Sequence, residues 1–297
     1  MAKTVDITGQ ELRKMQLLQL EILLEVDRIC RKHRIQYNLS GGSLLGAVRH
    51  QGFIPWDDDI DIRMLREEYE RFCDVCKQEL NQERYYLQTN VTEEEYRWEF
   101  GRILINGTKY VRLGQEHLKC RTGVFIDIFP TDGCSQHLLV RAYQEVIALF
   151  LRKALWSPVG CEIIKNPLKK VFFRLLSTIP KNKLLRVQQY LINMGKKKCY
   201  DSVVCWGIPK GDVRRWGFSR KVLRGTGRFK GIERKWLEEL IEVPFEGHMV
   251  YIPKDYHGWL TYVYGTTYME LPPQEKRCMH HFVSEYKLCE PRMSHME

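Results

Sequence analysis

The chain has 297 residues, 44% of them hydrophobic and 28% charged, with 47 Lys and Arg against 37 Asp and Glu for a formal charge of +10. This is globular composition and excludes a disordered or fibrous protein. The longest near-apolar run, Val146 to Leu151, meets Arg152 and Lys153 far short of the roughly 20 residues that a membrane span needs.

The opening MAKTVDITGQ carries no apolar signal region, which predicts a cytoplasmic protein. Thr8 and Glu11 form a capping-box pattern, and apolar residues at helical spacing predict an amphipathic helix over residues 8–34. A short strand over 37–40 runs into Gly41-Gly42-Ser43, and a second helix spans Leu44 to His50. Pro55 bars helix from the next segment, and 57–64 alternates acidic and apolar residues with the period of a strand. Helix returns over 66–81, extended chain over 84–89, 99–105 and 108–113, and a strand over 123–130. From 136 to 198 basic helices are punctuated by Pro158, Pro167 and Pro180; short aromatic-rich segments follow. The expected class is α+β: a mixed sheet with flanking helices and a helical basic insertion. Its divisions are a catalytic core over 1–135, a basic helical segment over 136–200, and a C-terminal part over 201–297 that completes the active site. The ten cysteines are scattered. The one C-x-x-C pair, Cys73 and Cys76, falls in a helical stretch with no second pair at metal-ligand spacing, so reduced thiols and no cysteine-bound metal are expected.

Two stretches carry chemistry. Paired glycines and Ser43 between a strand and a helix let backbone approach phosphate oxygens, where a helix N-terminus offers free N–H groups. Neither a Walker lysine nor G-x-G-x-x-G is present. Four carboxylates follow within five residues, Asp57, Asp58, Asp59 and Asp61. On a strand Asp57, Asp59 and Asp61 would share one face, and like charges so close call for a cation. All-oxygen ligands suit Mg²⁺ or Mn²⁺. Ile54, Trp56, Ile60 and Ile62 bracket the acids, which argues against a solvated acidic turn. Asp127 is a single carboxylate in the apolar strand Val124 to Phe129, where it needs a cation or hydrogen-bond partners.

The run GGSLLGAVRHQGFIPWDDDIDI resembles the signature of the LicD family, within the DNA polymerase beta-type nucleotidyltransferase superfamily. GVFIDIFPTDG resembles the family's third-carboxylate strand and LPPQEKRCMHH its C-terminal motif. The resemblance implies a nucleotidyltransferase-like mixed sheet with Asp59 and Asp61 as paired metal ligands, Asp127 as third carboxylate and Asp57 as an additional acid. Gly41, Gly42 and Ser43 would hold donor phosphates. It further implies transfer of phosphorylcholine, or a related phospho-alcohol, from CDP-choline or another CDP-alcohol to a hydroxyl of a glycan or lipid-linked glycan precursor. CMP would leave. The alternative within the superfamily is transfer of a nucleoside monophosphate with release of pyrophosphate.

Arg49, Arg102, Lys276 and Arg277 are further candidates for the donor phosphates, and His280 or His281 for the site. Trp56, Tyr96, Trp98, Trp206, Trp216 and Tyr251 could cage a quaternary ammonium, although core packing accounts for any single one. The basic amphipathic stretch over 165–198 predicts peripheral contact with the anionic inner face of the membrane. Nucleic acid is not expected as a partner, since no binding motif accompanies the positive charge.

Overall fold

The computed structural model describes residues 4–5, 7–135, 137–196, 201–204, 232–279 and 282–292. The class is α+β. Helix α1 (Gln10–His33) is followed by β1 (Asn38–Leu39), α2 (Gly41–His50), β2 (Asp61–Leu65) and α3 (Arg66–Glu79). Strands β3 (Tyr85–Gln88), β4 (Gly101–Ile105), β5 (Lys109–Arg112) and β6 (Phe125–Gly133) come next. The basic stretch forms α4 (Leu138–Leu155), α5 (Ser157–Ile163), α6 (Pro167–Ser177) and α7 (Lys181–Lys196). Beyond it lie β7 (Ser202–Val204), β8 (Ile232–Glu233), α8 (Lys235–Glu238), β9 (Leu240–Phe245), β10 (His248–Pro253), α9 (Tyr256–Tyr264) and β11 (Val283–Lys287).

The main sheet has the order β1-β2-β6-β4-β3, with β7 and β8 continuing from the far end of β6. Among the described residues only β2 and β6 run parallel; the other pairs are antiparallel. Two further two-stranded antiparallel sheets form, the hairpin β9–β10 and the long-range pair β5–β11. Ile62, Ile103, Ile126 and Ile128 are completely buried and share a core with α1 and with Phe245, Val250, Ile252 and Trp259 from the C-terminal part. A second, smaller core joins Cys134 to α4, α6 and α7 through residues such as Leu151, Phe173 and Leu191.

Helix α1 departs from the amphipathic expectation. Fourteen of its 24 residues are buried, including Gln16, Gln19, Glu21 and Glu25, so it is a central helix rather than a half-solvated one. The capping box does not form either. The N-cap is Gly9, at a φ of 59°, with no side-chain cap, and Glu11 accepts a hydrogen bond from the Tyr286 hydroxyl instead. Buried Glu21 is satisfied by Arg84 at 2.7 and 2.8 Å, by the Tyr85 hydroxyl at 3.0 Å and by the Arg292 backbone N–H at 2.7 Å. Burial alone would raise its pKa, but these donors, Arg84 foremost, hold it below the usual carboxylate range.

Two expectations near the acidic motif are corrected. Gly41, Gly42 and Ser43 are not a loop before a helix but the first turn of α2. The strand over 57–64 exists only from Asp61 onward. Residues 57–60 are irregular backbone because Gln16 and Gln19 of α1 take the carbonyls of Asp57 and Asp58, at 2.9 and 2.8 Å, that a ladder would otherwise use. Asp57, Asp59 and Asp61 therefore do not alternate along one strand face.

Candidate active site

Parallel pairing of β2 with β6 sets Asp61 opposite Asp127, and antiparallel pairing of β4 with β6 sets Arg102 opposite the same Asp127. Register partners project to the same side of a sheet, so these three side chains share the face turned away from the isoleucine core. Arg102 Nε donates to Asp127 Oδ1 at 2.6 Å. Its guanidinium lies 4.0 Å from the centre of the Phe125 ring and 5.4 to 5.9 Å from those of Phe100, Trp98 and Tyr96. Arg102, a candidate phosphate ligand from the sequence, is a buried group whose Nε fixes the Asp127 carboxylate inside an aromatic box.

The arginine nearest the open carboxylates is one that the sequence reading passed over. Arg112 Nη2 lies 3.6 Å from Asp59 Oδ2 and 4.0 Å from Asp127 Oδ2, with its side chain 18% exposed. The available signal was alternation on β5, which puts Tyr110 and Arg112 on one face. Tyr110 donates to Asp58 Oδ2 at 3.0 Å, which explains why Asp58 is turned inward and buried.

One carboxylate oxygen from each of Asp57, Asp58 and Asp59 lies within 4.8 Å of the other two. Burial, followed by the charges of Asp59 and Asp58, pushes Asp57 well above the usual carboxylate range. Arg112 is the cation beside this crowd of acids, and an all-oxygen donor set of this density fits Mg²⁺ or Mn²⁺.

The first turn of α2 closes the other side. Gly41 has a φ of 55°, and a Cβ there would come within 3.1 Å of Asp61 Oδ2; on Gly42 it would stand 2.4 Å from Asp57 Oδ2. Only glycines let the helix start approach both carboxylates. Ser43 Oγ accepts from the Asp61 backbone N–H at 2.9 Å, leaving its hydroxyl hydrogen to donate elsewhere. Ser40, the N-cap, is 1% exposed, and its Oγ has no hydrogen-bond partner among the described residues. A buried hydroxyl at a helix N-terminus, where amide N–H groups are also unsatisfied, is a ready anion contact.

Arg49 and Arg277 make their contacts away from the carboxylates. Arg49 Nη1 donates to the carbonyls of Tyr268 and Glu270 at 3.2 and 3.1 Å, tying α2 to the chain after α9 rather than meeting the carboxylates. Arg277 stacks over Trp56 at 5.7 Å. His280, His281, Trp206 and Trp216 lie outside the described residues. Among the described residues no helix is long and apolar enough to cross a membrane.

Known proteins match this arrangement in sequence. The family described as LicD/FKTN/FKRP, nucleotidyltransferase domain, matches residues 34–145, the stretch that holds α2, the acidic loop and Asp127. The lipopolysaccharide cholinephosphotransferase LicD of Haemophilus influenzae is 32% identical over 287 residues, covering 93% of this chain and 98% of that protein. A shorter stretch of 65 residues, 22% of this chain, is 38% identical to an uncharacterized protein of Rickettsia typhi, of which it covers 21%. With similarity running through nearly the whole of both sequences in the first case, the chain belongs to the LicD family.

Proposed function

We propose that the protein transfers a phosphorylcholine group, or a related phospho-alcohol, from a CDP-linked donor to a hydroxyl of a lipopolysaccharide-type glycan acceptor. The acceptor oxygen bonds to the phosphorus that carries the alcohol, the bond from that phosphorus to the CMP oxygen breaks, and CMP leaves with the electron pair. The observation that carries this reading is the Asp61–Asp127 register beside the converging Asp57–Asp59 cluster, in a chain similar end to end to a cholinephosphotransferase.

Asp57, Asp59, Asp61 and Asp127 would hold Mg²⁺ or Mn²⁺, which when bound neutralises diphosphate charge and favours an in-line displacement. The chain's own groups do the rest. Arg112, between Asp59 and Asp127, offers a guanidinium to the charge that builds on the transferred phosphoryl group. Ser40, Ser43 and the α2 N–H groups receive the other donor phosphate oxygens. Arg102 holds Asp127 by Oδ1, so Oδ2 is the atom that takes the proton from the acceptor hydroxyl.

The test is incubation of the protein with CDP-choline and a deacylated lipopolysaccharide acceptor, with Mg²⁺ and with chelator. CMP formation that needs both acceptor and metal supports the reading. Pyrophosphate from CTP with no CMP from CDP-choline would replace it by nucleotidyl transfer.

A further inference from the structure

Helix α4 is built inside out. Its charged and amide residues Arg141, Gln144 and Glu145 are buried, with Arg141 Nη2 2.7 Å from Glu145 Oε1. Leu139, Tyr143, Val146 and Phe150 project to solvent, Leu139 at 73% exposure. At about 100° per residue these four fall on one face, opposite the buried one. Helix α6 repeats the pattern. Phe173 and Leu176 enter the second core, while Leu168, Val171, Phe172 and Leu175 form a separate outward stripe in which Leu168 is 81% exposed. Two adjacent helices each turn a stripe of large apolar side chains to solvent, and grouped exposure of this kind marks an interaction surface.

The charge around this surface selects its occupant. From Ile163 to Lys196 the sequence has eight Lys and Arg and no Asp or Glu. Lys196 is engaged by Glu70, and Lys181 donates to the carbonyls of Asn90 and Glu93. Lys165, Lys169, Arg174, Lys183 and Arg186 stay exposed. On α6 the helical pitch sets Lys170 and Arg174 beside Val171, along one border of the outward stripe. Apolar side chains bordered by cations, with no acid among them, match a layer of acyl chains beneath anionic phosphates. A second copy of this chain would present the same positive surface and be repelled.

We propose that α4 and α6 dock the protein on an anionic bilayer, with the two apolar stripes entering the acyl boundary and the α6–α7 cations meeting lipid phosphates. This stands apart from the transfer reaction, and its readout is lipid binding alone. The full chain is sedimented with vesicles of phosphatidylcholine and with vesicles of phosphatidylcholine mixed with phosphatidylglycerol. Binding at least about tenfold tighter to the mixed vesicles is expected, weakened by added salt. Leu168→Ser with Leu175→Ser should lower it roughly tenfold, and Lys169→Glu with Arg174→Glu should remove the preference for anionic lipid. Melting curves that match the parent protein show that the variants fold. Equal sedimentation with both vesicles, or full binding by the folded serine variant, overturns the proposal. So does a dimer in light scattering that the serine variant dissociates, since the stripe would then be an interface between copies.

Discussion

Arg102 and Asp127 face each other across β4 and β6, joined by a 2.6 Å charge-assisted hydrogen bond between two buried side chains. The pair separates two kinds of failure in the site. Removing one member of a buried ion pair leaves the other charge uncompensated, which costs about 3–5 kcal/mol. Asp127→Ala should therefore lose transfer and also melt well below the parent. Asp61 is half-buried and bonded through its backbone to Ser43, so Asp61→Asn leaves no such orphan. Its transfer rate should fall by at least about 10³-fold, roughly 4 kcal/mol, with the melting temperature nearly unchanged. Near-parental turnover in folded Asp61→Asn would remove it from the site.

Arg112 gives a sharper test of the chemistry, because it is partly open and touches Asp59 and Asp127 by charge rather than by burial. If it stabilises charge on the phosphoryl group in flight, Arg112→Ala should lower kcat by about 10²–10³-fold with a smaller change in KM for the donor. Arg112→Lys should recover part of the loss, since it restores charge without the planar fork. A change confined to donor KM would make Arg112 a ground-state contact only.

Gln16 and Gln19 hold the acidic loop from beneath, each donating to a backbone carbonyl. Gln16→Leu leaves the Asp57 carbonyl buried without that donor, a loss of about 1–3 kcal/mol in stability. It should also weaken Mn²⁺ binding measured by electron paramagnetic resonance, because Asp57 and Asp59 would no longer be held together. Unaltered Mn²⁺ affinity alongside lowered stability would make the glutamine a scaffold residue with no bearing on the site.

These residues mark how far the sequence could be read. The acidic run and the lone aspartate in an apolar strand are local signals, so Asp57 to Asp61 and Asp127 stood out before any fold was known. What brings Asp61 against Asp127 is a parallel pairing across more than 60 intervening residues, which no local period encodes. Gln16 and Gln19 did leave a trace, two amides three residues apart in an otherwise apolar helix face. An amphipathic pattern gives polar residues an obvious place in water, so only the burial of α1 brings these two out. Arg112 and Arg102 look alike in sequence, each on a short strand beside aromatics. Only the register and the box of Tyr96, Trp98, Phe100 and Phe125 make Arg102 a buried anchor, while Arg112 stays partly open beside the carboxylates. The α4–α7 stretch was legible as basic and helical, but which apolar residues face outward depends on a second core formed with Cys134.

Glu99 links the sheet to pH. Both of its carboxylate oxygens are buried without a hydrogen-bond partner among the described residues. Burial pushes its pKa from 4.5 up to about 7, with Asp132 adding to the shift while Arg152 and Arg66 oppose it. Between those two values the folded protein keeps a proton that the unfolded chain has released, so stability falls as pH rises through this window. Above it the folded state carries the full penalty of a buried charge, at most roughly 3 kcal/mol. Glu99→Gln is neutral at every pH and should melt higher than the parent at about pH 8, with the difference shrinking toward about pH 4. Parallel melting profiles for the two proteins across that range would show that Glu99 titrates normally, its charge balanced by Arg152 and Arg66 despite burial.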